Sequence, residues 1–135
     1  MKMTRKEVRN HSFKILFQLK FFKVPQVIQK LDLYFSNQEI EDGKAKDEIM
    51  EFVNGVTNNL DEIDNVINSF MKGWKTTRIP SADLAILRIA VFEMLHTDLS
   101  IKIIANEAVE LAKIYSTDDS PAFINAIIGQ IHKSL

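Results

Sequence analysis

The chemistry that this sequence offers first is the binding of a polyanion by its N-terminal segment. Residues 1–23 contain seven basic side chains and one acidic one, a net charge of +6, whereas the other 112 residues contain ten basic and 17 acidic side chains, a net charge of −7. The seven basic residues are Lys2, Arg5, Lys6, Arg9, Lys14, Lys20 and Lys23. The overall charge of −1 hides this asymmetry, which is typical of a basic face for a polyanion on an acidic body.

Four of these basic residues lie within the first nine positions, at the start of a predicted helix. The helix dipole favours anionic groups at this end, so a requirement for stability would not place cations there, whereas a polyanion ligand would. Arg9 is followed at intervals of four by Phe13, Phe17 and Phe21 on the same flank. We expect these three rings to face a second layer of helices, with the basic side chains along the edge.

Residues that could support catalysis or bind a metal are scattered. His11, His96 and His132 lie far apart and lack metal-ligand spacing, and the chain contains no cysteine. No glycine-rich phosphate loop or G-x-S-x-G motif is present, and the acidic pairs fall on a solvated helix face or before a helix start. We therefore expect a protein that is not an enzyme and needs no metal or cofactor.

The elements that must position these side chains are helices. Only four glycines and three prolines interrupt the sequence, and no segment alternates with the period of a strand. Apolar residues recur at helical spacing over residues 4–23, 25–35, 49–74, 81–96, 101–115 and 121–135. The sequence predicts an all-α fold of six or seven helices, with seams at a charged loop near residue 43 and a turn near residue 78.

Several positions predict where these helices begin, end or break. Pro25 and Pro121 suit a first helical turn, and Ser100 and Ser120 are predicted N-caps. The long segment 49–74 contains Gly55 and the pair Asn58–Asn59, where it could kink or split. Trp74 ends that segment, and we expect it to pack between two bundles.

The longest apolar run is short and interrupted by charge. The stretch LAILRIAVFEML contains Arg88 and Glu93, and the N-terminal segment lacks the apolar core of a signal peptide. We expect a soluble, cytoplasmic protein without a membrane contact.

A series of motifs runs along nearly the whole chain in a fixed order. They are TRKEVR, FKILFQL, FVNGVTNNLDEID, a lone Trp74, RIPSADLAILRIAVFEML, NEAVELAKIYS and DSPAFINAIIGQI. In this order the chain resembles the NusB family of transcription antitermination proteins. The resemblance implies one all-α domain over residues 1–135, built from two three-helix sub-bundles at about 1–77 and 78–135.

The resemblance also implies a function. It predicts binding of the boxA sequence in single-stranded ribosomal RNA leader transcripts, jointly with ribosomal protein NusE. This binding would support processive transcription within the RNA polymerase antitermination complex.

Two sets of site residues follow from the resemblance. The implied RNA-binding residues are Lys2, Arg5, Lys6, Arg9, Lys14, Phe17, Ser116, Asp119, Ser120 and Phe123. The first four would contact phosphates. Lys14 and Phe17 stand where many relatives have Gln and Tyr, so Phe17 would stack on a base without donating a hydrogen bond.

The implied NusE-binding residues lie on one helix. They are Asp83, Leu84, Leu87, Arg88 and Phe92. Phe92 would anchor the interface with Asp83 at its rim, the alternative being that Phe92 packs under a neighbouring loop. Arg88 has the alternative of pairing with a buried carboxylate such as Glu93.

One alternative function belongs to a different class. The chain could be an all-helical protein–protein interaction module without specific RNA binding, its basic patch serving an acidic partner or solubility. Self-association into a homodimer through the Phe92 surface competes with NusE binding.

Overall fold

The computed structural model describes residues 3–71 and 79–135, and within these ranges the chain forms eight α-helices and no strand. The helices are α1 (Arg5–Phe17), α2 (Val24–Gln29), α3 (Leu31–Asn37), α4 (Gly43–Asn58), α5 (Leu60–Ser69), α6 (Ser81–His96), α7 (Ile101–Tyr115) and α8 (Ser120–Ser134). A short 3-10 turn, Gln18–Lys20, follows α1. The predicted all-α class is confirmed. Lys2 and Trp74, for which the sequence predicted roles, lie outside the described residues.

The number of helices among the described residues exceeds the six or seven predicted because two predicted helices are divided. The segment 25–35 breaks at Lys30, whose backbone (φ −91°, ψ 1°) leaves the helical range between α2 and α3. The long segment 49–74 ends at Asn58 and restarts at Leu60, at the Asn58–Asn59 pair where a split was foreseen.

The chain divides into two compact units, Met1–Asn58 and Asn59–Leu135. The division falls earlier than the boundary near residue 77 that the sequence suggested. The first unit contains α1 to α4, and the second contains α5 to α8. The arrangement as two three-helix sub-bundles stays a prediction.

In the first unit, α1 packs on α4 through the apolar face that its sequence predicts. Ile15 and Leu16 of α1 are buried, and α4 contributes Ile49, Val53 and Val56, which recur at intervals of four and three. The start of α1 is fixed by a capping box: the Thr4 hydroxyl accepts from the Glu7 N–H at 3.2 Å, and the Glu7 carboxylate accepts from the Thr4 N–H at 3.0 Å.

In the second unit, α6 packs against α5, α7 and α8. Its buried residues lie on almost every side: Asp83, Ala85, Ile86, Leu87, Ile89, Ala90, Val91 and Glu93. The helical spacing of apolar residues over 81–96 suggests a single apolar stripe, but three residues at that spacing, Leu84, Met94 and Leu95, are only half-buried. A helix enclosed by three neighbours buries most of its circumference, so one stripe does not describe it.

The two predicted serine caps have different outcomes. Ser100 caps α7 as predicted, because its hydroxyl accepts from the Ile103 N–H at 3.3 Å. Ser120 was predicted to cap α8, and this was wrong: Asp119 holds the N-cap position, and Ser120 is the buried first residue of the helix. The Ser120 hydroxyl is used in a contact with α6 instead.

None of the helices within 3–71 and 79–135 combines the length and apolar character that crossing a membrane requires.

Candidate nucleic-acid interface

The basic residues at the start of α1 divide into an exposed and a buried group. Arg5, Lys6 and Lys14 are exposed, whereas Arg9 retains only 4% of its accessible surface. The guanidinium carbon of Arg9 lies 5.7 Å from the centroid of the Phe52 ring of α4, a distance at which a cation is attracted to the face of an aromatic ring. The surface cations of this helix are therefore Arg5, Lys6 and Lys14, and the burial of Arg9 does not fit the phosphate contact predicted for it.

Two of the three exposed cations of α1 share one side of the helix with the half-buried Phe17, whereas the exposed Arg5 lies about 100° from Lys6 and on the opposite side from Lys14. At 100° per residue, Lys6, Lys14 and Phe17 fall within a sector of about 80°. Phe17 is half-buried, so part of its ring is open on the side of the helix that carries Lys14, three residues earlier. The helix thus presents two ammonium groups and an aromatic ring along one face, which suits a ligand with both phosphates and bases.

The row of phenylalanines runs from the core to the surface. Phe13 is 3% exposed, as expected for a ring that faces other helices, while Phe21 is 68% exposed, so the prediction was wrong at that end. The ring centroids of Phe13 and Phe17 lie 5.9 Å apart, and those of Phe17 and Phe21 lie 6.5 Å apart. Sequence spacing revealed the row but not where the neighbouring helices stop covering it.

Two ionisable groups of α1 have shifted pKa values. Partial burial, followed by the nearby charge of Lys14, lowers the pKa of His11, whose Nδ1 lies 2.7 Å from the Tyr34 hydroxyl of α3. Hydrogen bonding to Thr4 lowers the pKa of Glu7. Near neutral pH, His11 therefore adds no charge to the basic face, and Glu7 supplies an anion at the helix N-terminus.

In the second unit, a hydroxyl cluster surrounds the Asp83 carboxylate. Ser116 and Ser120, on either side of the turn between α7 and α8, both donate to Asp83, the Ser120 bond being 3.0 Å long. The Ser120 oxygen also lies 2.8 Å from that of Ser116 and 3.0 Å from the Thr117 hydroxyl. Asp83 is 3% exposed, so its predicted place at the rim of a partner surface was wrong.

This cluster unites residues that the family resemblance assigned to two different sites. Asp83 was assigned to the partner surface, and Ser116 and Ser120 to the RNA site. Of the other two residues predicted for this turn, Asp119 is exposed and Phe123 is half-buried. Asp119 and Phe123 are therefore the ones whose side chains are open to a ligand.

The predicted partner surface on α6 retains three of its five residues. Leu87 is fully buried, but Leu84, Arg88 and Phe92 are half-buried and recur at intervals of four along one side. Phe92 stacks on His96 one turn further along, with ring centroids 5.5 Å apart. These three residues form the α6 row.

Sequence reasoning missed the acidic residues that hold the α6 row. Arg88 makes two 2.9 Å hydrogen bonds to the Asp64 carboxylate of α5, whereas Glu93 had been suggested as its partner. His96 Nε2 lies 2.8 Å from a Glu62 carboxylate oxygen. The sequence does show acidic residues on one predicted helix and basic residues on a later one. Which of them form pairs depends on how α5 packs on α6.

Comparison with known families decides the relationship. The sequence profile of the NusB family matches residues 6–133. The chain belongs to the NusB family. The resemblance predicted from the motif order is therefore confirmed.

Relatives within the family cover most of this chain. It is 41% identical to the transcription antitermination protein NusB of Acetivibrio thermocellus, in an alignment of 135 positions that covers 97% of this chain and 90% of the relative. It is 39% identical to the protein of the same name from Thermoanaerobacter sp. (strain X514), over 94% of this chain and 89% of the relative.

Solved structures of NusB proteins superpose on nearly the whole of this chain. T. maritima NusB is 33% identical and superposes with a TM-score of 0.85, covering 98% of this chain and 93% of that chain. A chain from the crystal structure of antitermination factors NusB and NusE in complex with dsRNA has a TM-score of 0.80, with 97% of both chains covered. At 20% identity the second likeness shows the fold alone.

We predict that replacing Asp83 by Ala destabilises the protein by about 2–3 kcal/mol, because the buried Ser120 hydroxyl and the half-buried Ser116 hydroxyl lose their acceptor. Asp119→Ala, at the exposed N-cap of α8 whose side chain makes no capping hydrogen bond, is the control and should change the free energy of unfolding by less than about 1 kcal/mol. Urea denaturation followed by circular dichroism measures both. Equal effects of the two substitutions would contradict the proposed importance of the Asp83 cluster.

The lowered pKa of His11 predicts a pH dependence of stability. The folded protein binds this proton less readily than the unfolded chain, so the free energy of unfolding should fall as pH decreases from about 8 to about 5. His11→Gln removes the titrating group but keeps a hydrogen-bonding side chain near Tyr34, so the decrease should be smaller. His96 and His132 are present in both proteins, and identical pH profiles would show that His11 does not cause the effect.

Proposed function

We propose that this chain is an RNA-binding transcription antitermination factor that acts as one NusB-like domain in the cytoplasm. In this function it binds the boxA sequence of ribosomal RNA leader transcripts together with ribosomal protein NusE, and so supports processive transcription. The observation that carries the proposal is membership of the NusB family, whose relatives at 41% and 39% identity are named transcription antitermination proteins. The complex of NusB and NusE with dsRNA supports the same partners.

In the proposed mechanism, the exposed face of α1 supplies the affinity for RNA. Lys6 and Lys14 on this face, together with Arg5 at the start of the helix, contact phosphates, which positions the strand without reading its sequence. The open part of the Phe17 ring stacks on a base, a contact that needs no hydroxyl group. The proposed role of this surface is recognition, in which RNA is bound and released without chemical change.

The turn between α7 and α8 is proposed to read bases. The bonds of Ser116 and Ser120 to Asp83 fix the backbone of this turn, and the exposed Asp119 and the half-buried Phe123 are held at its surface. A carboxylate can accept a hydrogen bond from the exocyclic amine of a base, and a phenylalanine ring can stack on one. In this arrangement Ser116 and Ser120 act as positioning residues.

The α6 row is the proposed docking surface for NusE. Its centre is the Arg88–Asp64 pair, whose two parallel hydrogen bonds hold the guanidinium in one orientation. Leu84 and Phe92 flank this pair and offer apolar contact area. A partly exposed aromatic ring beside a fixed polar pair is a common arrangement at interface hot spots.

The role of α1 can be tested by the salt dependence of RNA binding. With three phosphate contacts, the binding constant for single-stranded boxA RNA should fall with salt at a log–log slope of roughly −2. Replacing Arg5, Lys6 and Lys14 together by Ala should bring the slope towards zero with little change in the unfolding midpoint, since all three are exposed.

The matched control for that experiment is the double substitution Lys102→Ala and Lys113→Ala, which removes two exposed lysines of α7. It should leave the slope unchanged. A slope near zero in the parent protein would exclude phosphate contacts by α1 and favour the protein-interaction module as the alternative function.

The partner surface can be tested by calorimetry with purified NusE. Phe92→Ala should weaken NusE binding by at least about 1 kcal/mol, because it removes the aromatic group of the α6 row. Binding of boxA RNA by the isolated protein should not change. Ile103→Ala, at an exposed apolar position on α7, is the control, and NusE affinity that is the same in all three proteins would place the interface elsewhere.

A further inference from the structure

An exposed group of aromatic rings and lysines lies just beyond the end of α1. Phe21 is 68% exposed and Phe22 is 36% exposed. The Lys20 ammonium lies 5.4 Å from the centroid of the Phe21 ring, and the Lys30 ammonium lies 3.3 Å from that of Phe22. These four residues are called the aromatic–lysine patch.

The backbone holds this patch in a defined position. After α1 the chain tightens into the Gln18–Lys20 turn, where the Gln18 carbonyl accepts from both the Phe21 and Phe22 N–H groups at 2.9 Å. Helix α2 packs beside this turn and ends at Gln29, and the side chain of the next residue, Lys30, lies over Phe22. The two rings are thus carried by hydrogen-bonded backbone.

The two rings offer different surfaces to a ligand. One face of Phe22 is covered by the Lys30 ammonium, so this ring serves to hold a cation in place. Phe21 keeps most of its surface open, and Phe17 meets it edge-on at 6.5 Å. An open π-face with ammonium groups beside it is the combination that stacks a nucleic-acid base and binds the adjoining phosphate.

The charge around the patch selects the class of ligand. Residues 8–31 contain five basic side chains and no acidic one. A long run without any acidic group suits a polyanion, and among polyanions only nucleic acid also has flat rings that stack on phenylalanine. Lys6, Lys14 and Phe17, on the exposed face of α1, lead towards the patch, so a strand bound along α1 would continue onto it.

We propose that the aromatic–lysine patch binds nucleotides of the transcript that flank boxA, with one base stacked on Phe21 and phosphates held by Lys20 and Lys30. This inference rests on the proposed function and extends its RNA site beyond the residues that the family resemblance implies. Because every base has a π-face, the contact adds affinity without preference for the flanking sequence. This contact strengthens binding to RNA in which boxA lies within a longer strand.

The test compares two RNA oligonucleotides by fluorescence anisotropy: boxA alone, and boxA with several nucleotides of arbitrary sequence on both sides. Phe21→Ala should weaken binding of the flanked RNA by roughly tenfold and leave binding of boxA alone unchanged. Phe21→Trp, which enlarges the π-face, should bind the flanked RNA at least as tightly as the parent. Leu33→Ala removes another apolar side chain that is 60% exposed in the same unit and should have no effect.

A second measurement isolates the lysines. Lys20→Ala and Lys30→Ala should each reduce the log–log salt slope for the flanked RNA by roughly 0.7, and neither should change the slope for boxA alone. Circular dichroism of each variant confirms folding, which the exposure of these side chains makes the expected result.

Two outcomes would overturn the proposal. Equal affinity of the parent and Phe21→Ala for the flanked RNA would show that no base stacks on this ring. Loss of NusE binding by Phe21→Ala with RNA binding intact would make the patch a protein-docking surface.

Failure of the proposed function looks different from either outcome. The parent protein would then bind flanked boxA and a flanked scrambled sequence equally. Weaker binding of both RNAs by Phe21→Ala would still support a stacking surface for single-stranded RNA.

Discussion

The buried carboxylate of Asp83 is the constraint on which much of the second unit depends. A carboxylate at 3% exposure is stable only if donors replace its water, and here the donors are the hydroxyls of Ser116 and Ser120. These bonds join the first turn of α6 to the connection between α7 and α8. The helix that carries the α6 row and the turn that holds Asp119 and Phe123 are therefore positioned by a single group.

Helix α1 of the first unit begins with cations, although the positive end of the helix dipole disfavours them at an N-terminus. The capping box of Thr4 and Glu7 offsets part of this cost, because it satisfies two backbone N–H donors and puts one negative charge at the helix start. Burial of Arg9 against Phe52 uses a further cation for packing within the unit. The cations of α1 that remain exposed are Arg5, Lys6 and Lys14, which is fewer than the sequence suggested. Lys6 and Lys14 share one side of the helix with the Phe17 ring.

The sequence predicts most of the helical framework because the signals for it are local. Apolar spacing, the Ser100 cap and the Asn58–Asn59 pair each act within a few residues, and each prediction agrees with the structure. The break at Lys30 carries no glycine or proline and could not be predicted in this way. The site is less predictable, because the bonds of Asp83 to Ser116 and of Asp64 to Arg88 join residues 33 and 24 positions apart. The spacing of residues along one helix also does not show that Arg9 packs against the Phe52 ring of another helix, or that Phe21 is exposed to solvent.

Because three other helices enclose α6, its backbone amides should become accessible to solvent only slowly. Amide hydrogens near Ile86, Leu87 and Ile89 can exchange with solvent only when the helices of this unit separate, so they should be among its slowest to exchange. The α6 row is carried by this same helix. Its side chains therefore keep their spacing while shorter segments fray, and a partner that docks there does not have to order the backbone first. Such a surface loses little conformational entropy on association.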